Sequence, residues 1–178
     1  MRLYFMETER IGFSKWQSGD EKLADLLWGD ADVTHFICAS GVFTTRDIQN
    51  RLNTEIQNDT VYRVQYWPIF ELNSSELIGC CGLRPCMEKP DTFEIGFHLR
   101  KNYWGKGLAC EAARAVIQYA FSSLGAKELR AGHHPENGAS RNMLTKLGFQ
   151  YIEDCYYAPT GLYHPTYCLT NSPVMGRL

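Results

Sequence analysis

Arg100-Lys101-Asn102-Tyr103-Trp104-Gly105-Lys106-Gly107-Leu108-Ala109 joins an alternating apolar stretch to a helically periodic one, and its reading decides the fold. Two glycines at alternate positions let the backbone turn freely and come close to a ligand. The helix that follows offers unpaired amides and the positive end of its dipole, which together attract anions. Arg100, Lys101 and Lys106 add positive charge, so the segment suits a pyrophosphate better than a neutral metabolite. Gly-Lys-Gly also occurs in ordinary strand-to-helix turns, so the flanks must decide between the two readings.

Upstream, Phe93, Ile95, Phe97 and Leu99 alternate with Glu94, Gly96 and His98, the pattern of a half-buried strand aimed at the loop. Downstream, Leu108, Ala112, Ala115, Val116 and Tyr119 fall at helical spacing, with Glu111, Arg114, Gln118 and Ser122 on the opposite stripe. The spacing predicts a helix from about Lys106 to Ser123, ended by Gly125. A short strand over Glu128 to Gly132 follows. Asn137 is then a good N-cap for a helix whose apolar side is Ala139, Met143, Leu144 and Leu147, and Gly148 ends it.

Elsewhere the pattern predicts a first strand over Arg10 to Trp16 and helices over Asp20 to Trp28 and Arg46 to Asn58. Further strands are predicted over Val61 to Trp67, Leu77 to Leu83, Tyr151 to Tyr157 and Leu162 to Leu169. The order β-αα-βββ-α-β-α-ββ describes a mixed α/β fold. No repeat or low-complexity block interrupts it, so residues 1–178 read as a single domain.

Composition narrows the function classes. The net charge of -2 and the lack of a basic cluster with interleaved aromatics argue against a nucleic-acid face. No signal peptide or bilayer-spanning apolar run is seen, which points to a cytoplasmic protein without a membrane partner. Seven cysteines, an odd number in a chain of this length, read as reduced thiols. His133-His134 and Cys80-Cys81 lack zinc-type spacing, so no metal is expected. The glycine loop also lacks the Gly-x-Gly-x-x-Gly and Gly-x4-Gly-Lys-Ser/Thr patterns of common nucleotide-binding domains.

Three segments in this order carry a resemblance: Glu94-Ile95-Gly96-Phe97-His98-Leu99, Tyr103-Trp104-Gly105-Lys106-Gly107-Leu108-Ala109-Cys110-Glu111-Ala112, and Asn137-Gly138-Ala139-Ser140 through Leu147-Gly148-Phe149. The chain resembles the GNAT superfamily of acetyl-CoA-dependent N-acetyltransferases, within it the branch of bacterial ribosomal-protein N-terminal (alanine/serine) acetyltransferases. The first half matches more loosely, through Glu7-Thr8-Glu9-Arg10, Leu26-Leu27-Trp28-Gly29-Asp30 and Ile78-Gly79-Cys80-Cys81-Gly82-Leu83.

The resemblance implies a mixed, mostly antiparallel central sheet flanked by helices, with two splayed middle strands, here near Glu94 and Glu128. It also implies acetyl-CoA as cosubstrate. The pyrophosphate would lie on the amides of Trp104, Gly105, Lys106, Gly107, Leu108 and Ala109. The pantetheine would lie along the backbone of Phe97, His98 and Leu99 as an added strand, with Asn137 reaching the same arm. Relatives commonly carry Gln or Arg where this chain has Asn102, and many place a tyrosine acid seven positions after the asparagine, where this chain has Leu144.

A thioester is already activated, so the enzyme must deprotonate an ammonium, align the amine and let the thiolate leave. Glu94 is the candidate base, with His98 as a substitute on the same strand face. Ser140 is the candidate hydrogen-bond donor to the leaving thiolate. Each has an ordinary structural reading as well: a solvated strand carboxylate, a packed histidine and a first-turn serine. The expected acceptor is a primary amine, with a protein N-terminal α-amine first and a polyamine, amino acid or aminoglycoside as alternatives. A non-catalytic acyl-CoA-binding domain is a further alternative, kept by Leu144. Pairing into a homodimer through sheet edges or helices is compatible with such a domain.

Overall fold

The computed structural model describes residues 2–171. Strands β1 (Met6–Glu7), β2 (Ile11–Phe13), β3 (Tyr66–Glu71), β4 (Leu77–Pro85), β5 (Thr92–Leu99), β6 (Glu128–Gly132), β7 (Gln150–Tyr157) and β8 (Leu162–Thr170) make one eight-stranded sheet. Its order is β1-β2-β3-β4-β5-β6-β8-β7, and every neighbouring pair is antiparallel except β5 with β6. Helices α1 (Glu21–Trp28), α2 (Ala31–Thr34), α3 (Thr45–Tyr62), α4 (Leu108–Ser122) and α5 (Gly138–Lys146) flank it. This is the mixed, mostly antiparallel α/β architecture that the sequence implies.

The alternation of β5 divides the two faces. Ile95 and Leu99 enter the core that α4 covers, where Ala112, Ala113, Val116 and Ala120 are fully buried. Small alanines let this helix lie close to the strands. The opposite face carries Glu94, Gly96 and His98 and is covered by the first three helices. Trp16, Leu27, Trp28 and Leu52 pack there against Tyr66, Phe70 and Cys80. Both faces are therefore dry where helices lie on them, and burial of these apolar side chains drives the layers together.

The sheet is interrupted in its middle. β5 pairs with β6 only through Thr92, Phe93 and Glu94, opposite Glu128, Leu129 and Arg130. Beyond Glu94 the two strands diverge, while β4 stays paired to β5 as far as Leu99 and β8 stays paired to β6 as far as Gly132. The expected splay is thus present, and it opens at Glu94.

Two strands and one helix differ clearly in their bounds from the sequence pattern. The expected strand over Arg10 to Trp16 is shorter, at Ile11–Phe13, because the Trp16 amide leaves the sheet to donate to Gln65 Oε1 at 2.7 Å. The expected strand over Val61 to Trp67 begins only at Tyr66, since α3 runs on to Tyr62. That helix opens with a capping box of Thr44 and Asp47 and ends at Arg63, whose φ of 61° is left-handed. A non-glycine terminator leaves no local signal, and Val61 and Tyr62, both strand-favouring residues, stand exposed on the last turn. The two short elements β1 and α2 have no counterpart in the pattern.

Candidate active site

One side of the gap is built by the segment that opened the sequence reading. Arg100 donates its backbone N–H to Ile78 on β4 at 2.9 Å. Alternation along the strand then turns the N–H and C=O groups of Phe97 and Leu99 the other way, toward the gap, and those of His98 toward β4. The Trp104 indole N–H donates to the Leu99 carbonyl at 2.8 Å and fixes the loop to the strand end. The Trp104 backbone N–H closes a 3-10 turn on Lys101 at 3.0 Å, so the amides open to a ligand begin at Gly105.

Gly105 and Gly107 have φ of 72° and 77°, left-handed values that side chains rarely adopt. A Cβ built on Gly105 meets nothing within 4 Å, and one on Gly107 meets only Arg10 Nη2 at 3.7 Å. Backbone conformation, rather than crowding by the protein, therefore requires glycine, and the space above both residues is open. Helical bonding in α4 starts with Glu111 N–H to the Gly107 carbonyl at 3.1 Å, so the amides just before it end the helix unpaired by their own helix.

Glu111 anchors this loop to the first hairpin. Its Oε1 accepts from Thr8 Oγ1 at 2.6 Å and from Arg10 N–H at 3.0 Å, while Arg10 pairs with Oε2 at 2.6 Å. Arg10 Nη1 also donates to the Lys106 carbonyl at 3.0 Å. Partial burial opposes the Glu111 charge, but the bonds from Thr8 and Arg10 outweigh it and hold the carboxyl below its usual range.

Glu94 stands where the strands part. Its Oε1 accepts from the Tyr66 hydroxyl at 2.6 Å. Tyr66 reaches it because Tyr66, Gly82 and Gly96 form one cross-strand row, so the ring lies over positions without side chains. A Cβ on Gly96 would collide with that ring. Burial, followed by the nearby Glu94 carboxylate, pushes the Tyr66 phenol well above 10.0, which keeps it a donor. The bond from Tyr66 to Glu94 joins positions 28 residues apart and has no local sequence signal.

His98 shares the Glu94 face but is held differently. Trp28 Nε1 donates to its Nδ1 at 3.2 Å, and Cys80 Sγ lies 3.7 Å from the same atom. Burial, reinforced by Arg51 and Arg84, pushes its pKa well below 6.5, so the ring stays neutral with one nitrogen occupied. That arrangement favours Glu94 over His98 as the proton acceptor. The sign for stability follows from linkage: the unfolded chain takes up a proton that the folded one refuses. Folding stability is therefore present in full above about pH 6.5 and declines as pH falls below it. Melting temperatures measured down the acid range should show this decline, and His98→Gln should shallow it.

The far wall comes from α5. Asn137 caps it, its Oδ1 accepting from Ser140 N–H at 3.0 Å. Both residues line the gap, Ser140 in the first turn. Leu144 is 1% exposed and belongs to the core, so no phenol stands at that position. The gap widens into a cleft of about 780 Å³ running from Gly105 and Gly107 past Glu94 to Arg51, Tyr157 and His164. A volume of this size accommodates a small-molecule ligand. Among the described residues no group of three or more His, Cys, Asp or Glu side chains is placed to hold a metal ion, and all seven cysteines are free thiols.

Residues 10–150 match the family model described as an acetyltransferase (GNAT) domain. The uncharacterised N-acetyltransferase p20 of Bacillus licheniformis is 32% identical over 146 residues, covering 80% of each chain. Among solved structures, the ribosomal-protein-S5-alanine acetyltransferase of Vibrio fischeri superimposes with a TM-score of 0.74 at 20% identity, over 93% of this chain and 96% of that one. The spermidine N-acetyltransferase of Vibrio cholerae, in complex with CoA and spermine, superimposes with a TM-score of 0.74 at 12% identity, over 92% and 96%. The splayed sheet, the glycine loop at the helix start and the match over residues 10–150 agree, and the chain belongs to the GNAT family of N-acetyltransferases.

Proposed function

We propose that this enzyme transfers an acetyl group from acetyl-CoA to a primary amine, with Glu94 as the base. The observation that carries this reading is the meeting, at one gap in the sheet, of an open glycine loop and a carboxylate fixed by Tyr66. Amides from Gly105 to Ala109 and the charge of Lys106 would hold the pyrophosphate, and the Trp104 indole would flank it. The backbone of Phe97 and Leu99 on the open edge would hold the pantetheine, with His98 between them keeping the strand on β4. Asn137 serves as N-cap and is also within the cleft, so it can reach the same arm. The acyl donor supplies an activated thioester. Glu94 removes the amine proton, the new C–N bond forms as the C–S bond breaks, and the Ser140 hydroxyl donates to the departing thiolate.

Neighbours named for a ribosomal protein and for a polyamine fit the chain equally well, so fold alone does not choose between a protein N-terminus and a small amine. The shared part of the reading is tested by thermal unfolding with acetyl-CoA, using ATP and NAD as controls. Acetyl-CoA at about 100 times its dissociation constant should stabilise the protein by roughly 2.7 kcal/mol, and the controls should not. Gly107→Val should abolish most of that gain, because valine avoids left-handed φ and would stand in the phosphate path. A folded Gly107→Val protein with an unchanged acetyl-CoA response would remove the loop from the cofactor site.

A further inference from the structure

Glu94 is one of several charges at the acceptor end of the cleft. Arg51 on α3 and Arg84 on β4 line the same space, and their guanidinium carbons lie 5.3 and 4.5 Å from the centre of the Tyr66 ring. One buried carboxylate stands between them. Glu55 Oε1 accepts from Arg84 Nη2 at 2.5 Å and forms an ion pair with Arg51 Nε at 2.9 Å, while Oε2 accepts the Tyr66 backbone N–H at 2.8 Å. A single anion thus serves two cations. Among the described residues, buried Arg51 Nε and Nη2 and Arg84 Nε make no hydrogen bond. Arg84 keeps 26% of its side chain exposed, so a ligand can reach it. Arg130, opposite Glu94 on β6, is already held by Glu128 at 2.8 Å.

The Tyr66 ring therefore separates a carboxylate at its hydroxyl end from a guanidinium pair over its face. We propose that the acceptor is a small amine carrying its own anionic group, a carboxylate or phosphate. The amine meets Glu94, and the anion meets Arg84 and Arg51. This deepens the acetyltransferase reading above and rests on it. Before transfer, two arginines face two carboxylates. When Glu94 takes the amine proton, one positive charge on this wall is left over, and the acceptor's anion balances it. A polyamine would instead set its second cation against the arginines, in surroundings where little water screens the repulsion. The near-neutral protein surface gives no such preference, so the selectivity is local to the cleft.

Thiol release from acetyl-CoA tests this with matched acceptors: each common α-amino acid beside its carboxamide, phosphoethanolamine beside ethanolamine, spermidine, and a neutral peptide with a free N-terminus and amidated C-terminus. The acidic member of at least one pair should exceed its neutral partner by about tenfold or more in kcat/KM, chiefly through KM, as expected for a charged hydrogen bond. The two pair types tell carboxylate from phosphate. Arg84→Gln should cut that ratio about tenfold, and Arg84→Lys should restore part of it. Because Arg84→Gln removes a partner of buried Glu55, the melting temperature of the variant must be measured alongside. The double variant Arg84→Gln/Glu55→Gln supplies a charge-balanced background in which the same loss of ratio is expected. Equal rates for acid and amide, preference for spermidine or the peptide, or no acetylated small amine in a protein that acetyl-CoA stabilises would each overturn the proposal. A protein that acetyl-CoA fails to stabilise would instead remove the reading beneath it.

Discussion

Glu55→Ala is expected to lower the melting temperature by roughly 10 °C. Glu55 is fully buried in the middle of α3, and its two oxygens receive the Arg84 and Arg51 guanidiniums and the Tyr66 amide. Alanine removes the one carboxylate paired with both arginines and leaves them packed against aromatic rings, with only Glu94 beyond the Tyr66 ring to oppose their charge. Breaking a buried pair by deleting one partner costs on the order of 3–5 kcal/mol, far more than loss of an exposed pair. The exposed pair Lys127–Asp91 provides the comparison, since its side chains are 79% and 51% accessible. Lys127→Ala should shift the melting temperature by only a degree or two. Thermal unfolding of both variants measures the contrast. A Glu55→Ala shift as small as that of Lys127→Ala would mean that water or a rearranged guanidinium replaces the lost carboxylate, and the cluster would then be adaptable.

The half of the cleft proposed to hold the cofactor was legible as local structure because its signals are local. Alternation from Phe93 to Leu99 assigned both faces of β5, and Gly105 and Gly107 marked left-handed turns where the backbone has them. Asn137 announced the N-cap that it makes with Ser140. The acceptor half was not legible, because its contacts join distant positions. Tyr66 meets Glu94 only through a register in which Gly82 and Gly96 happen to fall side by side. Glu55 carried one unused hint: it lies on the same helix stripe as buried Ile48 and Leu52, where a charge needs a partner. The partner, Arg84, belongs to a strand 29 residues away. The trace of α3 beyond Asn58 was lost for a different reason. Val61 and Tyr62 favour strands on propensity alone, and continuity of the helix overrode them.

Glu94→Gln is expected to reduce turnover by about 100-fold near pH 7, the lower part of the range for loss of a general base. The substitution preserves shape, and a glutamine oxygen can still accept from the Tyr66 hydroxyl, which donates to Glu94 Oε1 at 2.6 Å in the present arrangement. Acetyl-CoA affinity should therefore change little, because the loop proposed to hold the pyrophosphate lies elsewhere in the cleft. The effect should depend on pH through the acceptor. An α-ammonium has a pKa near 8, so below that pH the enzyme must remove a proton before nitrogen can attack. Above it, most of the acceptor arrives as free amine and the base matters less. The ratio of wild-type to Glu94→Gln turnover should thus be largest at low pH and shrink as pH rises through about 8 to 9. Steady-state thiol release over this range, with acetyl-CoA saturating, measures that ratio. A constant ratio at every pH would make Glu94 a residue that orients the ammonium rather than one that accepts its proton. No loss at any pH would transfer the task to water, since His98 is held neutral with its Nδ1 already bonded to Trp28.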